Sequence, residues 1–375
     1  MMNGYVFHTP TKIVFGEGSI NNLASIITKG MRHALLVTGH FSAIKYGYVE
    51  RVRKQLEMLN IGCTHYGKIS PNPKTEEIDD AVRLIADEKI DFVIGLGGGS
   101  ALDAAKLIAA MFYVKGSTKS VLLGETALSN NRLPLIQIPT TSGTGSELSK
   151  GSIITDQSLK IKRGVRADCL FADIAIVDPE LTYSLSLEQT METGFDVITH
   201  AIETYFSRRS NDITEIYSIE ALVRAFQSLL KLRENLQDHK ARAEIAFSSM
   251  LMGVNLGNSS TCLPHRLQYP VGALTETSHP RGLASIYMSW LYYSMKYNHE
   301  KFDYLAYRVM NSSANDFYKY IEDFLGKIGM SIRLSDLGVT AYELPELVRK
   351  ISGNLQDDPV CEEENVALKI YKNSL

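Results

Sequence analysis

Short apolar runs closed by glycine alternate with helically spaced apolar residues through the first half of the chain. Lys12-Ile13-Val14-Phe15-Gly16 predicts a short strand, and Ala34-Leu35-Leu36-Val37-Thr38-Gly39 a buried one. Asp91-Phe92-Val93-Ile94-Gly95-Leu96 and Leu133-Pro134-Leu135-Ile136-Gln137-Ile138-Pro139 predict two more. Ile78, Val82, Leu84 and Ile85 share one face of a helix predicted from Thr75 to Lys89. The alanine- and leucine-rich stretch from Ala101 to Phe112 predicts another. Strands alternating with helices imply a parallel sheet covered on both faces. After Asp178-Pro179-Glu180-Leu181 the strand signals nearly stop, and helices are predicted over 186–206, 214–236, 239–256, 283–295, 300–312, 315–329, 341–353 and 362–374. The expected organisation is an α/β domain over 1–180 and an all-helical domain over 181–375, with a cleft between them.

Composition narrows the class. The chain has 375 residues, 45% hydrophobic and 22% charged, which is ordinary for a folded protein. A formal net charge of −3 leaves no basic excess to hold nucleic acid or an anionic membrane. No apolar run approaches the ~20 residues of a membrane span, and Met1 to His8 show no basic region leading into an apolar core, so no signal peptide is expected. Cys63, Cys169, Cys262 and Cys361 are scattered, with no CxxC pair. That suits a reducing compartment, and a cytoplasmic location is expected.

Candidate chemistry lies in three places. The first is the helix predicted from Ser186, where Ser186 and Gln189 have the spacing of a capping box and Phe195, Ile198, Ile202 and Tyr205 form an apolar stripe. Asp196 and His200 stand four apart, so both project from one helix face and can grip a divalent cation. An isolated pair of this kind also arises as a surface ion pair. His265 and His279, in a run punctuated by glycine and proline, would complete a set of four ligands. The second place is Gly95-Leu96-Gly97-Gly98-Gly99-Ser100, between a strand and a helix. Ser100 with Asp103 reads as a helix cap, and the loop would aim N–H groups at a pyrophosphate. It departs from the full GxGxxG fingerprint, and an ordinary tight turn has the same look. The third is Pro139-Thr140-Thr141-Ser142-Gly143-Thr144-Gly145-Ser146-Glu147, whose hydroxyls can donate to phosphate or ribose oxygens, or form a solvated linker.

These pieces together resemble the iron-containing (group III) alcohol dehydrogenases over nearly the whole chain. The resemblance rests on the Lys12–Gly18 opening, Gly97-Gly98-Gly99-Ser100 with Asp103 and Lys106, the Pro139–Glu147 loop, Ala175-Ile176-Val177-Asp178-Pro179-Glu180-Leu181, and the Asp196, His200, His265 and His279 set. It implies a Rossmann-like N-terminal domain, an all-helical C-terminal domain, a nicotinamide cofactor in the cleft and one divalent metal on those four side chains. The Gly97–Ser100 loop is similar to the one that takes the pyrophosphate, and Thr140, Thr141, Ser142, Thr144 and Ser146 belong to a loop resembling the one beside the nicotinamide. Lys162 is assigned to the same cofactor set. The substrate is expected to be a small aldehyde or alcohol, reduced or oxidised by metal-assisted hydride transfer. Neutral imidazoles suit Fe2+ and Zn2+ alike, so the metal stays open. A homodimer is expected.

Three positions depart from the family pattern. Tyr269 stands where a second histidine is usual, four residues after His265. It is either a proton relay or a packing aromatic. Pro264 removes a backbone N–H just before His265 and would start or kink a helix there. Gly39 stands where NAD-preferring members carry an aspartate on the adenosine ribose, so NADP(H) is expected to be favoured over NAD(H). Arg266 and Arg281 follow ligand histidines closely, and a guanidinium there could hold a carboxylate, phosphate or phosphonate on the substrate. On a helix, however, Arg266 points about 100° away from His265. Two other readings remain: a lyase or cyclase similar to dehydroquinate synthase, which recycles its nucleotide, and a catalytically dead nucleotide-binding regulator.

Overall fold

The computed structural model of the protein describes residues 4–28 and 30–375; Met1–Asn3, on which the N-terminal reading partly falls, and Lys29 lie outside the described residues. The chain divides into two compact units, His8–Leu185, and Ser186–Leu375 together with residues 4–7.

The first unit is built on a six-stranded parallel sheet. Its strands are β1 (Lys12–Phe15), β2 (His33–Gly39), β3 (Gly62–Ile69), β4 (Phe92–Gly97), β5 (Leu135–Pro139) and β8 (Ile174–Val177), in the order β1-β8-β5-β4-β2-β3. The remaining two, β6 (Gly151–Asp156) and β7 (Ile161–Arg166), form an antiparallel hairpin. Both sheet faces are covered, which explains why the central strands read as continuous apolar runs. Leu35 and Val37 of β2 pack with Val93 and Leu135 against the helices Thr75–Glu88 and Gly99–Met111. Ala34 and Leu36, on the opposite side of the same strand, pack with Ile94 and Ile136 against Val52 and Leu56 of the helix Tyr48–Met58. β3, β6, β7, β8 and this last helix were not among the elements the apolar pattern predicted.

The second unit is helical. Its long members are Leu187–Phe206, Asp212–Glu234, His239–Asn258, Leu263–Thr275, His279–Tyr297, His299–Met310 and Ala314–Ile328. The helix over 263–275 was not among those predicted, and the last two predicted helices shrink to Leu344–Arg349 and Val366–Asn373. Pro264 falls in the first turn of its helix, where a missing N–H costs nothing. No helix among the described residues is long and apolar enough to cross a membrane.

Leu187–Phe206 is the spine of this unit. Its start is closed as predicted: Gln189 N–H donates to Ser186 Oγ at 3.2 Å, and Ser186 N–H to Gln189 Oε1 at 3.3 Å. The apolar stripe Phe195, Ile198, Ile202 and Tyr205 is buried, and burial extends around the helix to every residue from Gly194 to Phe206. A helix surrounded on all sides must satisfy its polar side chains internally. Thr204 does so with Ser218 Oγ and Asn255 Nδ2, at 3.1 and 3.2 Å. Close approach to the neighbouring helix depends on Gly194, where a Cβ would stand 2.2 Å from Leu229 Cδ2 and 2.9 Å from Cδ1. Gly194→Ala would add about 1 kcal/mol of helix propensity. Overpacking costs about 1–3 kcal/mol, and Leu229 is fully buried. G194A is therefore expected to lower stability by up to about 2 kcal/mol in denaturant unfolding; a raised midpoint would show that the helices part for less than the propensity gain.

Candidate functional site

The helical unit brings four predicted side chains to one point. His200 Nε2 lies 3.7 Å from Asp196 Oδ1, and His265 Nε2 and His279 Nε2 each lie 3.8 Å from the same oxygen. The ligand atoms of Asp196, His265 and His279 all fall within 4.8 Å of one another. His200 joins this trio through the shared oxygen and stacks on His265, ring centroids 4.7 Å apart. Separations of 3.7–3.8 Å are too long for hydrogen bonds. They suit the edges of a coordination shell, since two ligands about 2.1 Å from a tetrahedral centre stand about 3.4 Å apart. His265 Nε2 is buried and has no hydrogen-bond partner, as a lone pair reserved for a cation would be. The donor set therefore fits a divalent transition metal.

Each of two histidines is held from behind. His265 Nδ1 lies 2.8 Å from both carboxylate oxygens of Glu203. A carboxylate only accepts, so Nδ1 carries the proton and Nε2 presents its lone pair inward. His279 Nδ1 donates to Gln268 Oε1 at 2.6 Å. Gln268 fits because Gly272 and Gly282 leave space; a Cβ at either would meet its Nε2, at 2.7 and 2.9 Å. Glu203 and Gln268 were missed from sequence. Electrostatics follow the same geometry. Burial would raise Asp196, but His200, His265 and His279 hold it well below the usual carboxylate range. Burial opposes a charged His265, but the Glu203 and Asp196 carboxylates outweigh it and push it up to about 9. A metal must displace that proton to bind.

Tyr269 is buried one turn beyond His265 on the same helix. Arg266 turns to other partners: its Nη1 donates to Thr261 Oγ1 at 3.0 Å and its Nη2 to Ser260 Oγ at 3.3 Å. Arg281 is half-buried in the first turn of its helix, and its charge acts on Glu192.

In the α/β unit the two small-residue loops lie against each other. A Cβ at Gly98 would touch Thr141 at 3.5 Å, and one at Gly99 would stand 2.7 Å from Thr144 Cγ2. Gly97 holds φ at +152°, which favours glycine, and its carbonyl accepts from Thr140 N–H at 2.9 Å. The predicted Ser100–Asp103 cap is corrected. The helix starts at Gly99 with Gly98 as N-cap and no side-chain cap, because β4 runs to Gly97 and leaves Ser100 inside the first turn. Ser100 Oγ donates to Pro71 O instead. The first N–H groups are thereby left open to an anion.

Asp103 turns away to the hairpin and the threonine loop. It accepts from Ser146 Oγ, from Ile153 N–H at 2.8 Å and from Lys106 Nζ at 3.0 Å. Lys106 is fully buried and also donates to the carbonyls of Ser146, at 2.9 Å, and of Gly151. Thr140 and Ser142 are buried in the same loop. Lys162, on β7, donates to Asn72 Oδ1 at 2.9 Å. Gly39 ends β2 opposite Ile69, where a Cβ would meet only Ile69 O, at 3.5 Å.

A parallel α/β unit followed by a helical unit with one carboxylate and three imidazoles has the plan of a metal-dependent dehydrogenase. Comparison with known proteins agrees. The family profile "Iron-containing alcohol dehydrogenase" matches residues 10–179, and "Fe-containing alcohol dehydrogenase family, C-terminal" matches residues 190–375. The chain is 32% identical over 349 residues to long-chain-alcohol dehydrogenase 1 of Geobacillus thermodenitrificans, covering 89% of this chain and 87% of that one. Among solved structures it is similar to an archaeal Red Sea brine pool alcohol dehydrogenase, ADH/D1, with 28% identity, a TM-score of 0.93 and full coverage of both chains. It is also similar to sulfoacetaldehyde reductase from Bifidobacterium kashiwanohense in complex with NAD+, with 26% identity, a TM-score of 0.92, and 99% and 98% of the two chains covered. The chain belongs to the iron-containing alcohol dehydrogenase family. It is an oxidoreductase of alcohols and aldehydes, and the family implies Fe2+ and NAD(H).

The Asp103–Lys106 pair yields a stability prediction. Removing one partner of a buried ion pair costs about 3–5 kcal/mol, and the Asp103 side chain is 13% exposed, which favours the lower end. D103A is expected to lose about 3 kcal/mol in chemical unfolding and to bind nucleotide more weakly in a titration. A loss below about 1 kcal/mol would show that the pair does not hold the loops.

Proposed function

We propose that the protein reduces a small aldehyde with a nicotinamide nucleotide, using a divalent cation held by Asp196, His200, His265 and His279. The observation that carries this reading is the approach of three imidazole Nε2 atoms to one carboxylate oxygen, at 3.7–3.8 Å. When bound, the cation supplies Lewis acidity to the substrate oxygen and the reduced nicotinamide supplies the hydride.

The chain's own groups do the remaining work. Glu203 and Gln268 fix the tautomers and orientations of His265 and His279. The uncapped helix start at Gly98–Ser100 receives the pyrophosphate, with Lys162 as a nearby cation. Thr141, Ser142 and Thr144 offer hydroxyls to the nucleotide, while Asp103 and Ser146 keep that loop in place. Tyr269 delivers the proton that the product alcohol requires. Gly39 leaves room for a 2′-phosphate and brings no negative charge, which supports NADP(H) as the favoured cofactor. Arg281 gives the substrate pocket an anion-holding group, and the likeness to a sulfoacetaldehyde reductase supports an anionic aldehyde as substrate. Arg266, bonded to Thr261 and Ser260, has less to offer.

Purified protein is expected to contain about one divalent cation per chain by elemental analysis. It should consume NADPH with aldehydes at a higher kcat/KM than NADH, and lose activity to a chelator until Fe2+ or Zn2+ is restored. Metal-replete protein that turns over no aldehyde in a broad panel would remove the proposal, and a higher kcat/KM with NADH would remove its cofactor preference. R281A is expected to raise KM for an anionic aldehyde by about 10-fold or more, as loss of a charge-assisted hydrogen bond does, with little change for a neutral one. Equal effects on both would remove the anionic-substrate part.

A further inference from the structure

We infer that Glu203 is a positioning residue whose negative charge, relayed through His265, tunes the site to hold a divalent cation. This rests on the metal-dependent reading above.

Asp196, His200 and Glu203 stand at positions i, i+4 and i+7 of one helix, so they line a single face. His265 comes from another helix and sits between the two carboxylates, with Nδ1 2.8 Å from Glu203 and Nε2 3.8 Å from Asp196 Oδ1. Its ring is stacked on His200 with only 23° between the planes. Glu203 is fully buried. Its Oε2 also accepts the Cys262 N–H at 2.8 Å, and among the described residues no lysine or arginine is paired with it. Two buried carboxylates with no lysine or arginine beside them are costly. Three neutral imidazoles add no charge, so Asp196 and Glu203 leave −2, and one dication cancels it. Asp358, another buried carboxylate nearby, is satisfied separately by Leu263 N–H, Val360 N–H and Trp290 Nε1.

The contrast with His279 sharpens the role. His279 is backed by the neutral amide oxygen of Gln268, and its side chain is 26% exposed, against 5% for His265. A carboxylate behind an imidazole makes it the more basic ligand. His265 is thus the anchored ligand and His279 the weaker one.

Glu203→Gln keeps the volume and an acceptor for Nδ1–H but removes the charge. The affinity of the full chain for Zn2+ and Co2+, measured by competition with a chromogenic chelator, is expected to fall about 10–100-fold in E203Q. The visible spectrum of its Co2+ form should shift as well. Binding within about threefold of wild type, with an unchanged Co2+ spectrum, would overturn the inference, because an amide would then serve as well as a carboxylate. If E203Q does not fold, Glu203→Asp decides: it keeps the charge and is expected to hold metal within about tenfold of wild type, whereas a larger loss would mean that shape alone matters. A wild-type protein that binds no divalent cation would sink the proposed function as well; tight wild-type binding with an unaltered E203Q sinks only the role of Glu203.

Discussion

Two carboxylates buried on one helix set the terms on which the helical unit is built. Asp196 and Glu203 have almost no exposure to solvent, and a buried carboxylate without partners costs several kcal/mol. The surrounding helices exist in part to meet that demand. His265 enters on the helix Leu263–Thr275, whose start is fastened by Glu203 to the Cys262 N–H and by Asp358 to the Leu263 N–H, each at 2.8 Å. His279 enters at the first residue of the next helix. The helix Leu187–Phe206 itself can be enclosed because Gly194 admits its neighbour and because Thr204 is bonded to Ser218 Oγ and Asn255 Nδ2.

The α/β unit solves a similar problem with the opposite sign. Lys106 is a fully buried cation, and its amine gathers the helix after β4, the threonine loop and the β6–β7 hairpin. Burial lowers its pKa while Asp103 opposes that shift. Three chain segments that are distant in sequence thus meet at one ammonium group. The glycine and threonine loops are held by buried polar contacts rather than by apolar packing alone.

Much of this was legible beforehand, for physical reasons that differ by element. β2, β4 and β5 are buried on both faces, so their apolar runs stand out. β3 is an edge strand with a polar, glycine-containing sequence, GCTHYGKI, and gives no such signal. The hairpin strands are partly exposed and rich in charge at β7, which hid them too. The four clustered side chains were readable because carboxylate and imidazole are specific ligand types at specific spacing. Their outer partners were not, because glutamate and glutamine occur everywhere. Glu203 had one available signal: a carboxylate one turn beyond His200 on the same face, as a ligating histidine requires behind it. The Ser100–Asp103 cap failed because the capping pattern was read two residues too far along; the glycines had already begun the helix.

The glycines that end or follow the central strands of the α/β unit are of two kinds, and the difference bears on how such a protein can change. Gly99 is locked by its neighbour, since any side chain would strike Thr144, so a mutation there is filtered by folding before chemistry is tested. Gly39 is structurally idle: its φ is not positive and only Ile69 O lies near the space a Cβ would fill. A substitution at that one codon would therefore meet no steric filter, and the position is free to vary at little cost to the scaffold.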